Sequence, residues 1–202
     1  ELGSYSHNVA HELRTPLTVI RQNLELLQIK PTEKLIHSTD EEITWMEQII
    51  ETLLFLAKPK AQWLKSEIIE LPHFLREILE PYKKDIHYIE PKKTLKKSLH
   101  KELLKRVIDN LVQNALKYKK DWLVEVRFTN DTLSIKNSIE RNFTEKELSE
   151  VTKAFYQADT SRSSSGYWLW LALVKKIVEL EWWKMTIRTI KQEFIVDITF
   201  SL

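Results

Sequence analysis

The sequence predicts two units in succession: an all-α helical hairpin that completes itself as a dimeric four-helix bundle, then an α+β two-layer sandwich. Three observations predict this. Apolar residues step by threes and fours across the first 58 positions, and the pattern then changes to short apolar stretches alternating with amphipathic segments. Prolines 31 and 59 mark the breaks.

In the opening segment Ala10, Leu13, Leu17, Ile20, Leu24 and Leu27 form one seam, which Pro31 ends. Ile43, Met46, Ile50, Leu53 and Ala57 form a second, so residues 1–58 read as two helices folded back on each other. Helices of about 25 residues expose more apolar seam than one hairpin buries, and a second copy of the chain is the expected cover. The expected boundaries are 1–60 for this unit, 61–65 for a linker and 66–202 for the second unit.

In the second unit "EIIEL" reads as a strand, "PHFLREILEPY" as a helix with Pro72 in its first turn, and "HYIEP" as a strand. "KELLKRVIDNLVQNALKY" is strongly amphipathic, and "WLVEVRFTNDTLSIKNSI" is a strand pair turning at Asn130-Asp131. "TEKELSEVTKAF" opens with a capping box, Thr144 to Glu147, and "KMTIRTIKQEFIVDITFSL" is a closing hairpin. The mixture predicts one sheet with helices on one face.

Composition narrows the function. Lys plus Arg (31) nearly balances Asp plus Glu (29), so the net charge of +2 gives no footprint for nucleic acid or an anionic membrane surface. The absence of cysteine excludes disulfides and thiolate metal sites. No apolar run approaches the roughly 18 residues of a membrane span, and the start at Glu1 suggests a soluble fragment of a longer protein.

Candidate chemistry begins with "SHNVAHELRTPLTVI". His11 follows the seam position Ala10 and so lies on the flank of the bundle, where its ring is accessible. A neutral imidazole is a competent nucleophile, and Glu12 is placed to orient or deprotonate it. Pro16 then loosens the ladder one turn on, which suggests a helix that bends. An exposed helical histidine is also an ordinary surface residue, and His7, one turn earlier, shares that flank. "SHNVAHELRTPLT" resembles the phosphoacceptor box of sensor histidine kinases, "SHELRTPL". The resemblance implies that His11 is phosphorylated, that Glu12 is its acid/base neighbour, and that Thr15 positions water when such proteins dephosphorylate their partner.

"DNLVQNALKYKK" puts Asn110 and Asn114 four residues apart on one helical face, with Lys117 following. Asparagine is a weak helix former, so the pair serves either to cap a neighbouring strand or to meet a nucleotide. An amide oxygen suits Mg²⁺, and a lysine suits phosphate. The stretch resembles the asparagine box "NLxxNAxKY" of the same kinases. That resemblance implies ATP and Mg²⁺, with Asn114 on the metal, Asn110 and Lys117 on phosphates, and Tyr118 beside the base.

"FYQADTSRSSSGYWLWLALVKKIVE" resembles the family's "FYRxDxSR" followed by a lid and "GxGLGLxIVKxIV", which adds Arg162, Gly166, Trp168, Trp170 and Leu171 to the implied nucleotide contacts. The lid would span residues 156–170. Where the family's adenine-reading box has "DxGxG", this chain has "SIKNSIERN". Asn137 replaces the aspartate; its carbonyl accepts the adenine amino hydrogen, without the charge or either glycine.

The seven tryptophans stand apart. Trp168 and Trp170 occupy glycines of "GxGLGL", and "EWWKM" stands where the family usually has "HGGK". Average usage predicts about 14 glycines, but there are two. Either one codon, normally a stop, is decoded as glycine at these positions, or real indoles plug the nucleotide site of a pseudokinase that serves as a dimeric docking scaffold.

Taken whole, the resemblance implies the cytoplasmic core of a bacterial sensor histidine kinase with the ATP-binding sandwich of the GHKL (Bergerat) type. It implies autophosphorylation of His11, transfer to an aspartate of a response-regulator receiver domain, homodimerisation through the hairpin and, in some members, phosphatase activity. A membrane connection would run only through a segment ahead of Glu1, in a sensor of the inner or plasma membrane.

Overall fold

The computed structural model describes residues 2–57, 65–91, 94–151 and 167–200. Two long helices come first, α1 (Leu2–Ile29) and α2 (Glu33–Ala57), packed against each other. α1 runs through Pro16, whose ring is buried. Thr32 caps α2: its hydroxyl accepts from the Leu35 N–H at 3.3 Å and its carbonyl from the Ile36 N–H at 3.2 Å. Across the hairpin the Asn23 amide, 8% exposed, donates to Ser38 Oγ at 3.2 Å and pins the register.

The hairpin does not bury its whole seam. Leu17 and Leu24 remain about half exposed, as do Ile36, Ile43 and Ile50 on α2, and each set steps by seven. That is the spacing of a coiled-coil face.

The sandwich follows in the order β1 (Glu67–Glu70), α3 (Leu71–Leu79), a 3-10 turn, β2 (Ile86–Ile89), β3 (Lys96–Leu99), α4 (Lys101–Tyr118), β4 (Val124–Thr129) and β5 (Thr132–Ser138). It ends with α5 (Glu145–Glu150), α6 (Tyr167–Leu180), β6 (Lys184–Ile190) and β7 (Glu193–Thr199). Five strands pair in the order β2-β4-β5-β7-β6; β2 runs parallel to β4 and every other pairing is antiparallel.

One face of this sheet carries the core. Val124, Val126 and Phe128 of β4, Leu133 and Ile135 of β5, and Val196 and Ile198 of β7 meet the buried sides of α3, α4 and α6. The opposite face is polar and laced with ion pairs, Arg188–Asp197 at 3.1 Å and Lys136–Glu193 at 3.4 Å among them. The alternation along each strand is the physical reason for two layers rather than three.

The predicted elements that fall on the described residues agree with this architecture, with one difference. β3 was not expected: it pairs antiparallel with β1 in a separate two-stranded sheet, so there are two sheets rather than one. The 61–65 linker lies outside the described residues except for Lys65.

The predicted capping box is present. Thr144 Oγ1 accepts from the Glu147 N–H at 3.2 Å, and Glu147 accepts from the Thr144 N–H at 2.7 Å. Arg141 adds a fork onto the same carboxylate at 2.6 and 3.0 Å. Those contacts, the arginine first, hold Glu147 down to about 2 from its usual 4.5.

Three tests follow from these contacts. Phe200→Ala removes edge contacts with Phe128 and Trp183 from the core and should lower urea-unfolding stability by about 3–5 kcal/mol. Thr144→Ala should cost about 1 kcal/mol. A depressed carboxylate stabilises the fold fully above its ordinary value, so the Glu147 contribution should fade only as pH drops from 4.5 towards 2, and Glu147→Gln should flatten that part of the stability profile.

Candidate active site

α4 brings the implied nucleotide contacts together. Leu103, Leu104, Val107, Ile108, Leu111, Val112 and Ala115 form its buried stripe, which fixes its rotation on the sheet. Asn110, Asn114 and Lys117 line up along one flank of that stripe. Asn110 donates its amide to the Arg106 carbonyl at 2.6 Å, which orients its side chain along the helix.

Asn114 differs. Its Oδ1 is buried and has no hydrogen-bond partner among the described residues. A buried amide oxygen without a donor is costly, and it is also what a hard cation would accept. Among the described residues no cluster of three His, Asp or Glu side chains could hold a metal. An ion here would take Asn114 and complete its shell from phosphates and water, which is the ordinary habit of Mg²⁺.

Lys117 sits in an aromatic and acidic surround. Its ammonium lies 4.7 Å from the centre of the Trp45 ring and 5.6 Å from that of Tyr118. By area the residue is exposed, yet the atoms crowded round its charge impair hydration and lower its pKa, with Glu42 and Glu41 opposing the shift. Burial in turn raises Glu42, against the pull of Lys117.

Trp45 and Glu42 come from α2, so the hairpin reaches the sandwich at this site. Trp45 meets Trp170 of α6 edge to face, with centroids 5.3 Å apart. Arg106 reaches Glu51 at 3.6 Å. Between these elements lies a cleft of about 290 Å³ lined by Glu51, Thr52, Arg106, Asn110, Trp170 and Leu173. The sequence singled out Asn110 and Trp170 there, but not the α2 residues.

The remaining predicted residues divide. Asn137, on β5, is 4% exposed and donates to the Ser138 carbonyl at 3.0 Å. Leu171 is buried in the core. Thr15 is exposed on α1. His11 and Glu12 belong to α1 and Trp168 to the first turn of α6, but their side chains lie outside the described residues, as do Arg162 and Gly166 entirely.

One titration checks the Lys117 surround. Trp45→Ala should open the ammonium to water and move its pKa upward towards 10.5, read by NMR of the labelled lysine side chain.

Comparison with known proteins gives the family and the fold. The model of the His Kinase A (phospho-acceptor) domain matches residues 2–62, and that of the histidine kinase-, DNA gyrase B- and HSP90-like ATPase matches residues 100–201. Sensor protein kinase WalK of Staphylococcus aureus is 32% identical over 89% of this chain, which spans 48% of that relative; in a second WalK, from strain JH9, it spans 33%. The chain thus covers half or less of the curated relatives it matches.

Among solved structures, the histidine kinase AdeS of Acinetobacter baumannii superposes with a TM-score of 0.67 at 18% identity, over 95% of this chain and 97% of that one. The mycobacterial sensor histidine kinase MprB gives 0.55 at 21% identity, over 66% and 97%. With both family models matched in order along a fold of this kind, the chain belongs to the sensor histidine kinases, a phosphoacceptor hairpin joined to an ATPase sandwich.

Proposed function

We propose that this chain is the catalytic core of a sensor kinase that moves the γ-phosphoryl group of ATP to His11 and then to an aspartate of a response-regulator receiver domain. The observation that carries the proposal is the buried Asn114 oxygen on the flank of α4, without a partner among the described residues, in the stretch that matches the ATPase family. Asn114 would hold Mg²⁺, Asn110 and Lys117 would meet phosphates, and Tyr118 and Asn137 would border the base. The metal, when bound, neutralises charge on the phosphates.

In the transfer an imidazole nitrogen of His11 bonds to the γ-phosphorus, the bond to the bridging oxygen breaks, and ADP leaves. Glu12 is placed next in sequence to take the imidazole proton. Catalysis of this kind is mostly positioning and charge stabilisation, so the orientation of the hairpin relative to the sandwich governs it. Thr15, one turn beyond His11 and exposed, would serve a phosphatase reaction by orienting water.

Residues 1–60 would form the dimerisation and phosphotransfer unit and residues 66–202 the ATP-binding unit. The half-exposed residues that recur every seven positions on α1 and α2 support pairing with a second copy. No described helix is long and apolar enough to cross a membrane; by its family the chain would serve as the cytoplasmic part of a bacterial membrane sensor. One observation favours a second reading, a dimeric scaffold that does not bind nucleotide: the Trp45–Trp170 pair stands at the cleft, with Trp45 stacked over Lys117.

Labelling with γ-phosphate from Mg-ATP separates these readings. His11→Ala should abolish incorporation, and Asn114→Ala should cut it about tenfold or more, in keeping with the ~1.5–3 kcal/mol of a contact to a charged group. A chain that folds, dimerises and takes no label would favour the scaffold.

A further inference from the structure

The end of α6 is closed by a pair of backbone hydrogen bonds. The Trp183 N–H donates to the Val178 carbonyl at 2.9 Å and the Trp182 N–H to the Glu179 carbonyl at 3.4 Å. Those are the two bonds of a Schellman motif, which places residue 182 at the left-handed position just past the helix. Its φ is 59°.

Tryptophan is an odd occupant. The Cβ strains the backbone there, and with 81% of Trp182 exposed the indole recovers little by packing. The other residues at positive φ have ordinary reasons. Asn130 tolerates the left-handed region, and Lys191 and Gln192 form the two-residue turn between β6 and β7. Among the described residues, only at 182 does a large, unpacked aromatic side chain stand at the left-handed position past a helix.

Two other tryptophans stand in settings that would suit a smaller residue. Trp122 is exposed in the bend before β4, and Trp170 meets Trp45 across the cleft where phosphates would approach. Against these stands a census of two glycines and seven tryptophans.

We propose that the natural polypeptide carries glycine at all seven positions, 45, 63, 122, 168, 170, 182 and 183, because one codon that is a stop in the standard code is read there as glycine. The glycine count becomes nine, nearer the average of about 14. The assignment covers all seven positions. It therefore commits Trp183 too, although that ring is 7% exposed and packs edge to face on Phe200 at 4.9 Å.

At positions 168 and 170 glycine would clear two indoles from the start of α6, so that backbone N–H groups could approach an anionic phosphate. It would also dissolve the Trp45–Trp170 pair and leave Lys117 free of the indole above it. This consequence rests on the kinase reading; the identity of the residues does not.

The decisive measurement is the mass of the tryptic peptide Ile177–Lys184 from the protein isolated from its own source, together with the codons at the seven positions. Glycine at both 182 and 183, with one shared codon, is the expected result. Tryptophan at either residue, or ordinary tryptophan codons, overturns the proposal.

A recombinant chain gives an independent readout. Trp182→Gly should raise Tm by about 2–8 °C, and Trp182→Ala, which keeps the Cβ, should raise it less. No advantage of glycine over alanine counts against the proposal. If the natural peptide holds glycine and the glycine-bearing chain still takes no phosphate label, the kinase reading fails while this proposal stands.

Discussion

The seat of α4 on the sheet is the constraint from which the site follows. Seven apolar side chains at helical spacing fix how the helix is turned about its axis. Each residue advances about 100°, so Asn110 and Asn114 fall roughly 60° to one side of Val107 and Leu111. That flank is deep enough to bury the amide oxygen of Asn114, while Asn110 lines the cleft. Rotation of the helix by a single residue step would send Asn114 into the core or into open water, so packing and chemistry are set by one variable.

A second constraint comes from the hairpin. α2 reaches the sandwich through Trp45, Glu42 and Glu51, which meet Lys117, Trp170 and Arg106. Surface ion pairs of the Arg106–Glu51 kind contribute little on their own. The aromatic contacts are worth more, yet a cation over a ring adds only about 0.5–2 kcal/mol. In the chain with tryptophan at 45 and 170 the two units are therefore joined by a weak contact, and glycine at those positions would leave the Arg106–Glu51 pair as part of what remains of it. At its other end α6 is tied to the start of α4, where His100 Nδ1 meets Glu181 Oε1 at 2.5 Å.

Much of this was legible in the sequence. The helix predicted over 101–118 was plain because its apolar period runs unbroken from Leu103 to Ala115, and the turn at Asn130-Asp131 was plain because asparagine tolerates the backbone that a tight turn needs. β3 was not legible. "KKSL" buries only Leu99 and owes its extended form to pairing with β1, thirty residues away in sequence. The asparagines could be named in advance because their chemistry is local to one helix face. Trp45 and Glu42 could not, since they reach the site only through the tertiary path of the chain, and no periodicity of α2 encodes where its polar flank lands.

The uncovered stripe on the hairpin has a consequence for how the molecule persists in solution. Leu17, Leu24, Ile36, Ile43 and Ile50 remain about half uncovered among the described residues, so a second copy would supply part of the core. A core completed by another molecule obeys mass action: its free energy depends on protomer concentration as well as on contacts. Dilution would then act as a denaturant, and the persistence of the folded hairpin would depend on how many copies share a compartment.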